Sequence, residues 1–255
     1  MNRKPFVGLL LALVFLGVSP LREAVAEQEL IVSAAASLTN VFQEIAREFM
    51  KANPGIKVVP NFAASGVLLQ QIERGAPVDV FASADQKTMD QAAEKKLILP
   101  ETRKNFAGNS LVLIVPLHSK VQVNNVQDLT AKEVARVSLG NPASVPAGRY
   151  AQQVLTNEGL WEKLGPKLVL GESVRQVLDY VSRGEVEAGF DFGTDALIAK
   201  DKVRVVATMT KHEPILYPIA VVATTVKKDS SRQFIDFVQG PEGREILSKY
   251  GFRNP

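Results

Sequence analysis

The sequence predicts an α/β protein of two lobes, each a mostly parallel sheet flanked by helices, and three observations carry that prediction. Short apolar runs of strand length alternate with segments whose apolar residues recur at helical spacing. Alternation of this kind builds parallel sheets, because a helix must carry the chain back to the start of the next strand. Two longer apolar strands, at 111–116 and 217–223, interrupt the rhythm and divide the chain.

In order, residues 30–34 read as a buried strand. Leu38, Val41, Phe42, Ile45 and Phe49 then share one helical face, and Asn53-Pro54-Gly55 stops that helix. Strand 56–62, helix 67–74, strand 78–82 and helix 86–95 follow. After strand 111–116 the alternation restarts with strand 134–139, helix 147–157 and strand 167–170. Helix 174–181 places Val174, Val177, Leu178 and Val181 on one face. Strand 188–192, a short helix 196–200 and strand 203–207 lead to strand 217–223. Helices 232–239 and 241–249 close the chain, with Pro241 suited to a first helical position. Strands 111–116 and 217–223 read as the two crossings between lobes. One lobe is then 27–109 with 217–255, the other 110–216, an arrangement suited to hinge closure around a ligand.

Residues 1–26 read as a secretory signal peptide. Arg3 and Lys4 are its basic segment, Phe6 to Val18 its apolar run, and Ala24-Val25-Ala26 its cleavage site. The run falls short of the roughly 20 apolar residues that a spanning helix needs. Cleavage after Ala26 leaves 229 of the 255 residues and removes three basic residues and one acidic one, so the formal charge falls from +3 to +1. Such a chain offers no electrostatic reason to expect nucleic acid or an anionic membrane as partner. There is no cysteine, so neither a disulfide nor a lipid-bearing cysteine is expected. A soluble periplasmic protein follows, and a monomer is expected.

Ligands of open α/β sheets sit at the carboxyl ends of strands, beside helix N-termini. Five such junctions carry small residues and hydroxyls: Ala35-Ala36-Ser37, Ala63-Ala64-Ser65-Gly66, the run from Asn141 to Gly148, Gly171-Glu172-Ser173-Val174, and Gly193-Thr194-Asp195. None shows an obvious arginine or lysine in its turn. The first N–H groups of a helix lack intrahelical partners and favour negative charge, so several such ends converging make an anion site without a cation. Each residue also has a plainer reading. Ser37 and Ser65, taken singly, are N-caps. Ser173 with Gln176 fits a capping box. Ala147 and Val174 could offer a ligand only their backbone amides.

Several ordered motifs resemble those of periplasmic molybdate-binding proteins, the ModA type of ABC-importer receptor. They are Ala34-Ala35-Ala36-Ser37-Leu38-Thr39-Asn40, Phe62-Ala63-Ala64-Ser65, the run from Gly75 to Gln86, Val145-Pro146-Ala147-Gly148, Val174-Arg175, Gly193-Thr194-Asp195-Ala196 and Lys249-Tyr250-Gly251-Phe252. The resemblance implies a type II periplasmic binding protein fold and a solute-binding subunit that binds molybdate, and tungstate with it. It implies a membrane permease and its ATPase as partners, and no cofactor, the oxyanion being cargo. By matched motif it places the contacts on the hydroxyls and amides of Ser37 and Ser65, on the amides of Ala147 and Val174, and at Phe192. There the family commonly has a tyrosine whose hydroxyl is the fifth donor. Phenylalanine donates nothing, so Phe192→Tyr is expected to tighten binding.

An all-donor site suits a fully deprotonated tetrahedral dianion, which has only acceptors. Hydrogen phosphate carries a proton such a site leaves unpaired. Sulfate differs by size. Asp191 reads as a polar residue at a strand end, pointing opposite to Phe190 and Phe192; facing the cleft, it would favour a protonated ligand. The runner-up is therefore a receptor for sulfate, phosphate or a small carboxylate. An enzyme is the rival class, but His118 and His212 fall in loops. No Gly-x-Ser-x-Gly elbow, zinc spacing or P-loop is present. A regulatory ligand-binding domain would carry a DNA-binding helix pair where this chain has its leader.

Overall fold

The computed structural model describes Met1 and residues 27–255, so the segment read as a signal peptide lies outside the described residues apart from Met1. Two five-stranded sheets form the two lobes. The first has strands β1 (Gln28–Ala35), β2 (Ile56–Ala63), β3 (Val80–Ala82), β4 (Lys104–Gly108) and β10 (Leu216–Val221), in the order β2-β1-β3-β10-β4. The second has β5 (Leu111–Pro116), β6 (Val137–Gly140), β7 (Leu168–Gly171), β8 (Ala188–Phe192) and β9 (Val203–Thr208), in the order β7-β6-β8-β5-β9. In each sheet the fourth strand of the order, β10 or β5, runs antiparallel to both neighbours, and the other four share one direction.

Strands 111–116 and 217–223 were expected to be the crossings; each instead belongs wholly to one sheet. The chain passes between sheets just before each of them, at Asn109–Ser110 and over residues 209–215. Apolar character marks where a strand is buried, and a two-residue crossing has no apolar pattern of its own. Strand β4 was not anticipated either. Its Lys104 and Asn105 are exposed, so only three of its five residues carry the burial signal.

The helices follow their apolar stripes. Helix α1 (Thr39–Ala52) buries Val41, Phe42, Ile45, Ala46 and Phe49 and ends where Asn53 Nδ2 donates to the Phe49 carbonyl at 2.9 Å. Helices α2 (Ser65–Glu73) and α3 (Gln86–Glu94) complete the first half of this lobe. In the second lobe, α4 (Pro146–Asn157) has proline in its first turn, where no N–H is needed. It is followed by α5 (Trp161–Leu164), α6 (Val174–Ser182) and α7 (Gly193–Ile198). Helices α8 (Lys228–Gln239) and α9 (Pro241–Lys249) return to the first lobe, where Phe234 meets Phe49 edge-on at 5.3 Å. The tail then runs beside β4. Gly108 N donates to Arg253 O at 2.7 Å, and Phe252 packs on Tyr217 at 5.5 Å. Among the described residues, no helix is long and apolar enough to cross a membrane.

Candidate functional site

The carboxyl ends of β1, β2 and β3 in one lobe face those of β6, β7 and β8 in the other, and one small cleft lies between them. It is lined by Ala35, Ala36, Ser37, Ala64, Ser65, Ala84, Val145, Pro146, Ala147, Val174 and Phe192, and holds a cavity of about 10 Å³. That is below the roughly 300–1,000 Å³ typical of pockets for drug-sized ligands. The five residues singled out from sequence, Ser37, Ser65, Ala147, Val174 and Phe192, all line this one cleft, although 155 positions separate the first from the last. Each is at most 4 % exposed, so the lobes are closed over it.

The backbone at four of these positions offers N–H groups. Ser65 and Val174 are the first residues of α2 and α6, and Ala147 is the second of α4. Such positions have no carbonyl acceptor within their own helix. Ser37 lies in a 3-10 turn, Ala36–Leu38, that leads into α1. Helix dipoles make all four neighbourhoods electropositive without a formal charge.

The N-cap reading of the two serines is corrected by the structure. Ser65 is inside α2, whose cap is Ala64 with no capping side chain. Its Oγ instead accepts from the Ala84 N–H at 3.0 Å, across from the end of β3. Ser37 also caps nothing; its Oγ lies 3.0 Å from the hydroxyl of Tyr217, near the start of β10. Each hydroxyl is thereby tied to a different part of the chain. Ser173 does cap, accepting from Gln176 N at 3.2 Å, while the Gln176 side chain takes the Glu172 N–H at 2.6 Å. Ser173 is therefore committed to its helix.

Two arginines stand in first turns where none had been apparent, and both are paired. Arg149 of α4 reaches across the cleft to Asp85, its Nη2 lying 2.7 Å from Oδ2. Arg175 Nε lies 2.5 Å from Asp195 Oδ1, an ion pair by distance that is poorly aligned as a hydrogen bond. Burial raises the Asp195 carboxyl to about 6 against the pull of Arg175. Asp191 is fully buried and not among the cleft-lining residues. Its Oδ1 accepts from Phe192 N at 2.7 Å and its Oδ2 has no partner. Burial, with the nearby Asp195, pushes its carboxyl well above the usual range.

Sequence reasoning missed Tyr217, Asn109, Ala84 and Asp85. Phe192 packs its ring 5.8 Å from that of Tyr217. A tyrosine hydroxyl is thus close to this position after all, but behind Ser37. A lone tyrosine opening an otherwise aliphatic strand was the available signal for it. Among the described residues no group of histidines and carboxylates could hold a metal ion.

The chain matches the family model for bacterial extracellular solute-binding proteins over residues 30–253. It is 43 % identical over 236 residues to the molybdate-binding protein ModA of Escherichia coli, covering 89 % of each chain. To the protein of that name from Haemophilus influenzae it is 38 % identical over 232 residues, covering 89 % of this chain and 91 % of that one. Among solved structures, the periplasmic molybdate-binding protein of Azotobacter vinelandii superposes with a TM-score of 0.79 at 26 % identity, over 89 % of this chain and 99 % of that one.

Proposed function

This chain belongs to the bacterial extracellular solute-binding proteins and, within them, to the molybdate-binding ModA family, and we infer from that premise how its cleft works. It is the solute-binding subunit of an ABC transporter for molybdate. Our reading is that Ser37 and Ser65 give their hydroxyl protons and amides to the oxyanion, and that Ala147 and Val174 give their amides. Phe192 closes the wall. The observation that supports this most is the convergence of these donors on one small cleft whose nearby arginines are already paired.

The chemistry favours a bare tetrahedral dianion. Ser65 Oγ already accepts from a backbone N–H, so its proton is free for the ligand. Amides at helix starts can only donate. Such a site leaves the proton of hydrogen phosphate facing other protons, and a rigid closed cleft disfavours sulfate by size. Tungstate, nearly isosteric with molybdate, should bind alongside it.

The same reading assigns residues 27–109 with 217–255 to one lobe and 110–216 to the other; the division of the strands between two sheets supports it. It takes the chain to be a non-catalytic monomer of the periplasm, exported by a cleaved leader and delivering its cargo to a membrane permease and ATPase. It has no nucleic-acid partner.

A thermal-shift and calorimetry panel of molybdate, tungstate, sulfate and phosphate tests this. A ligand at about 100 times its Kd stabilises by about 2.7 kcal/mol. Molybdate and tungstate should give the largest shifts; a larger shift with sulfate or phosphate would refute the assignment.

A further inference from the structure

Ser37 is reached by a chain of buried hydrogen bonds whose direction can be worked out from one end. The Ser110 backbone N–H lies 2.8 Å from Asn109 Oδ1. A backbone N–H can only donate, so the oxygen end of the Asn109 amide is fixed there. The Nδ2 end must then donate to both of its neighbours, Thr194 Oγ1 at 2.9 Å and the Tyr217 hydroxyl at 3.1 Å. Tyr217 is fully buried, and burial holds its hydroxyl protonated by raising it well above the ordinary phenol value. Its oxygen is already an acceptor from Asn109. Its proton therefore goes to its other partner, Ser37 Oγ at 3.0 Å.

We propose that Asn109 and Tyr217 are positioning residues that fix the Ser37 hydroxyl as a proton giver toward the cleft, and that this fixed direction excludes protonated oxyanions. The proposal rests on the placement of Ser37 at the oxyanion given above. Once Ser37 Oγ accepts from Tyr217, its own proton has the cleft to turn to. Ser65 is set in the same sense by a different device, the Ala84 N–H. Both hydroxyls are thus donors before any ligand arrives, and an anion carrying an O–H meets donor against donor. Sulfate has no proton at neutral pH, so this device does not act on it.

Asn109 is well placed for this task. It stands at the crossing from β4 to β5, with its carbonyl held by Arg253 Nη2 at 3.0 Å. Its two Nδ2 partners come from different lobes, Thr194 from α7 and Tyr217 from β10. The direction of the Ser37 hydroxyl is consequently set by the same residue that joins the lobes. Phe192 packs against Tyr217 without offering the ring a competing acceptor.

The test compares wild type, Tyr217→Phe and Ser37→Ala in the mature chain, measuring Kd for molybdate and for inorganic phosphate at pH 7.5. In Tyr217→Phe the serine is freed to accept a ligand proton. Molybdate affinity should fall about tenfold, and the molybdate-to-phosphate selectivity should fall by at least as much. An equal loss for both anions, or an unchanged ratio, means a structural role for Tyr217 and overturns the proposal. Ser37→Ala separates the two levels: if molybdate binding is unaffected there, the site reading itself fails. Neutron diffraction on deuterated wild-type crystals gives the answer without a variant. A deuteron on Tyr217 directed at Ser37 Oγ supports the proposal, and one on Ser37 directed at Tyr217 overturns it.

Discussion

Arg149 of the second lobe donates through Nε to Asp85 Oδ2 of the first at 2.8 Å, while its Nη2 donates to Thr88 Oγ1 at 2.7 Å. Asp85 is also the N-cap of α3, its Oδ1 accepting from Thr88 N at 3.2 Å. One carboxylate therefore starts a helix in one lobe and anchors an arginine from the other. The contact bridges the two lobes, so opening the cleft would separate its partners, and its free energy would add to closure and to ligand affinity together.

Arg149→Ala should weaken molybdate binding by roughly ten- to a hundredfold, the worth of a charge-assisted hydrogen bond or two. In the open protein Asp85 is free to meet water, so thermal stability without ligand should change much less. Calorimetry and unfolding on one preparation check both; an unchanged Kd would show that the pair does not support closure.

Gly66 sits where the lobes touch, its N–H donating to Ser144 O at 3.0 Å. A Cβ there would lie 2.7 Å from the same carbonyl oxygen, which is backbone and cannot step aside. Gly66→Ala should therefore hinder closure and reduce affinity by at least tenfold, with the lobe itself intact, since alanine suits a helix start. Small-angle scattering with saturating molybdate should find this variant more open than wild type.

Phe192→Tyr adds a hydroxyl to a residue that lines the cleft. If it reaches the oxyanion, binding should tighten by about one decade, the effect of a single charge-assisted bond. Equal or weaker affinity in the calorimeter would place the para position of this ring away from the ligand.

Asp191 and Asp195 supply a pH signature. Burial is the leading cause of both upward shifts, with Asp195 at about 6 and Asp191 well above its ordinary value, and Arg175 opposes them. The folded chain keeps protons there that the unfolded chain releases near pH 4. The stability these groups contribute is thus present at low pH and lost as pH rises through 6. Asp191→Asn removes the ionisation and keeps an oxygen for Phe192 N. Its Tm relative to wild type should rise from pH 5 to pH 8, and a flat difference would contradict the shift.

Much of this molecule was legible in its sequence because periodicity reports burial. The stripe Val41, Phe42, Ile45 and Phe49 on α1 and the helix from Val174 were read directly from spacing. The five cleft residues came from strand-to-helix junctions and a family resemblance, and they do share one cleft. What did not come through was long-range pairing. Ser37 meets Tyr217 across 180 positions, and Arg149 meets Asp85 across 64. Local spacing holds no record of such partners, so both serines looked like helix caps. The crossings were misplaced for a related reason: Asn109–Ser110 is too short to carry a pattern, and the apolar strand beside it drew the eye.

The most direct test of the central claim is a crystal structure of the mature protein with molybdate bound. The expected result is four oxygens held in the closed cleft, with the hydroxyls of Ser37 and Ser65 and the amides of Ala147 and Val174 at hydrogen-bond distance. Molybdate seated elsewhere, or both serine hydroxyls turned from it, would contradict the account.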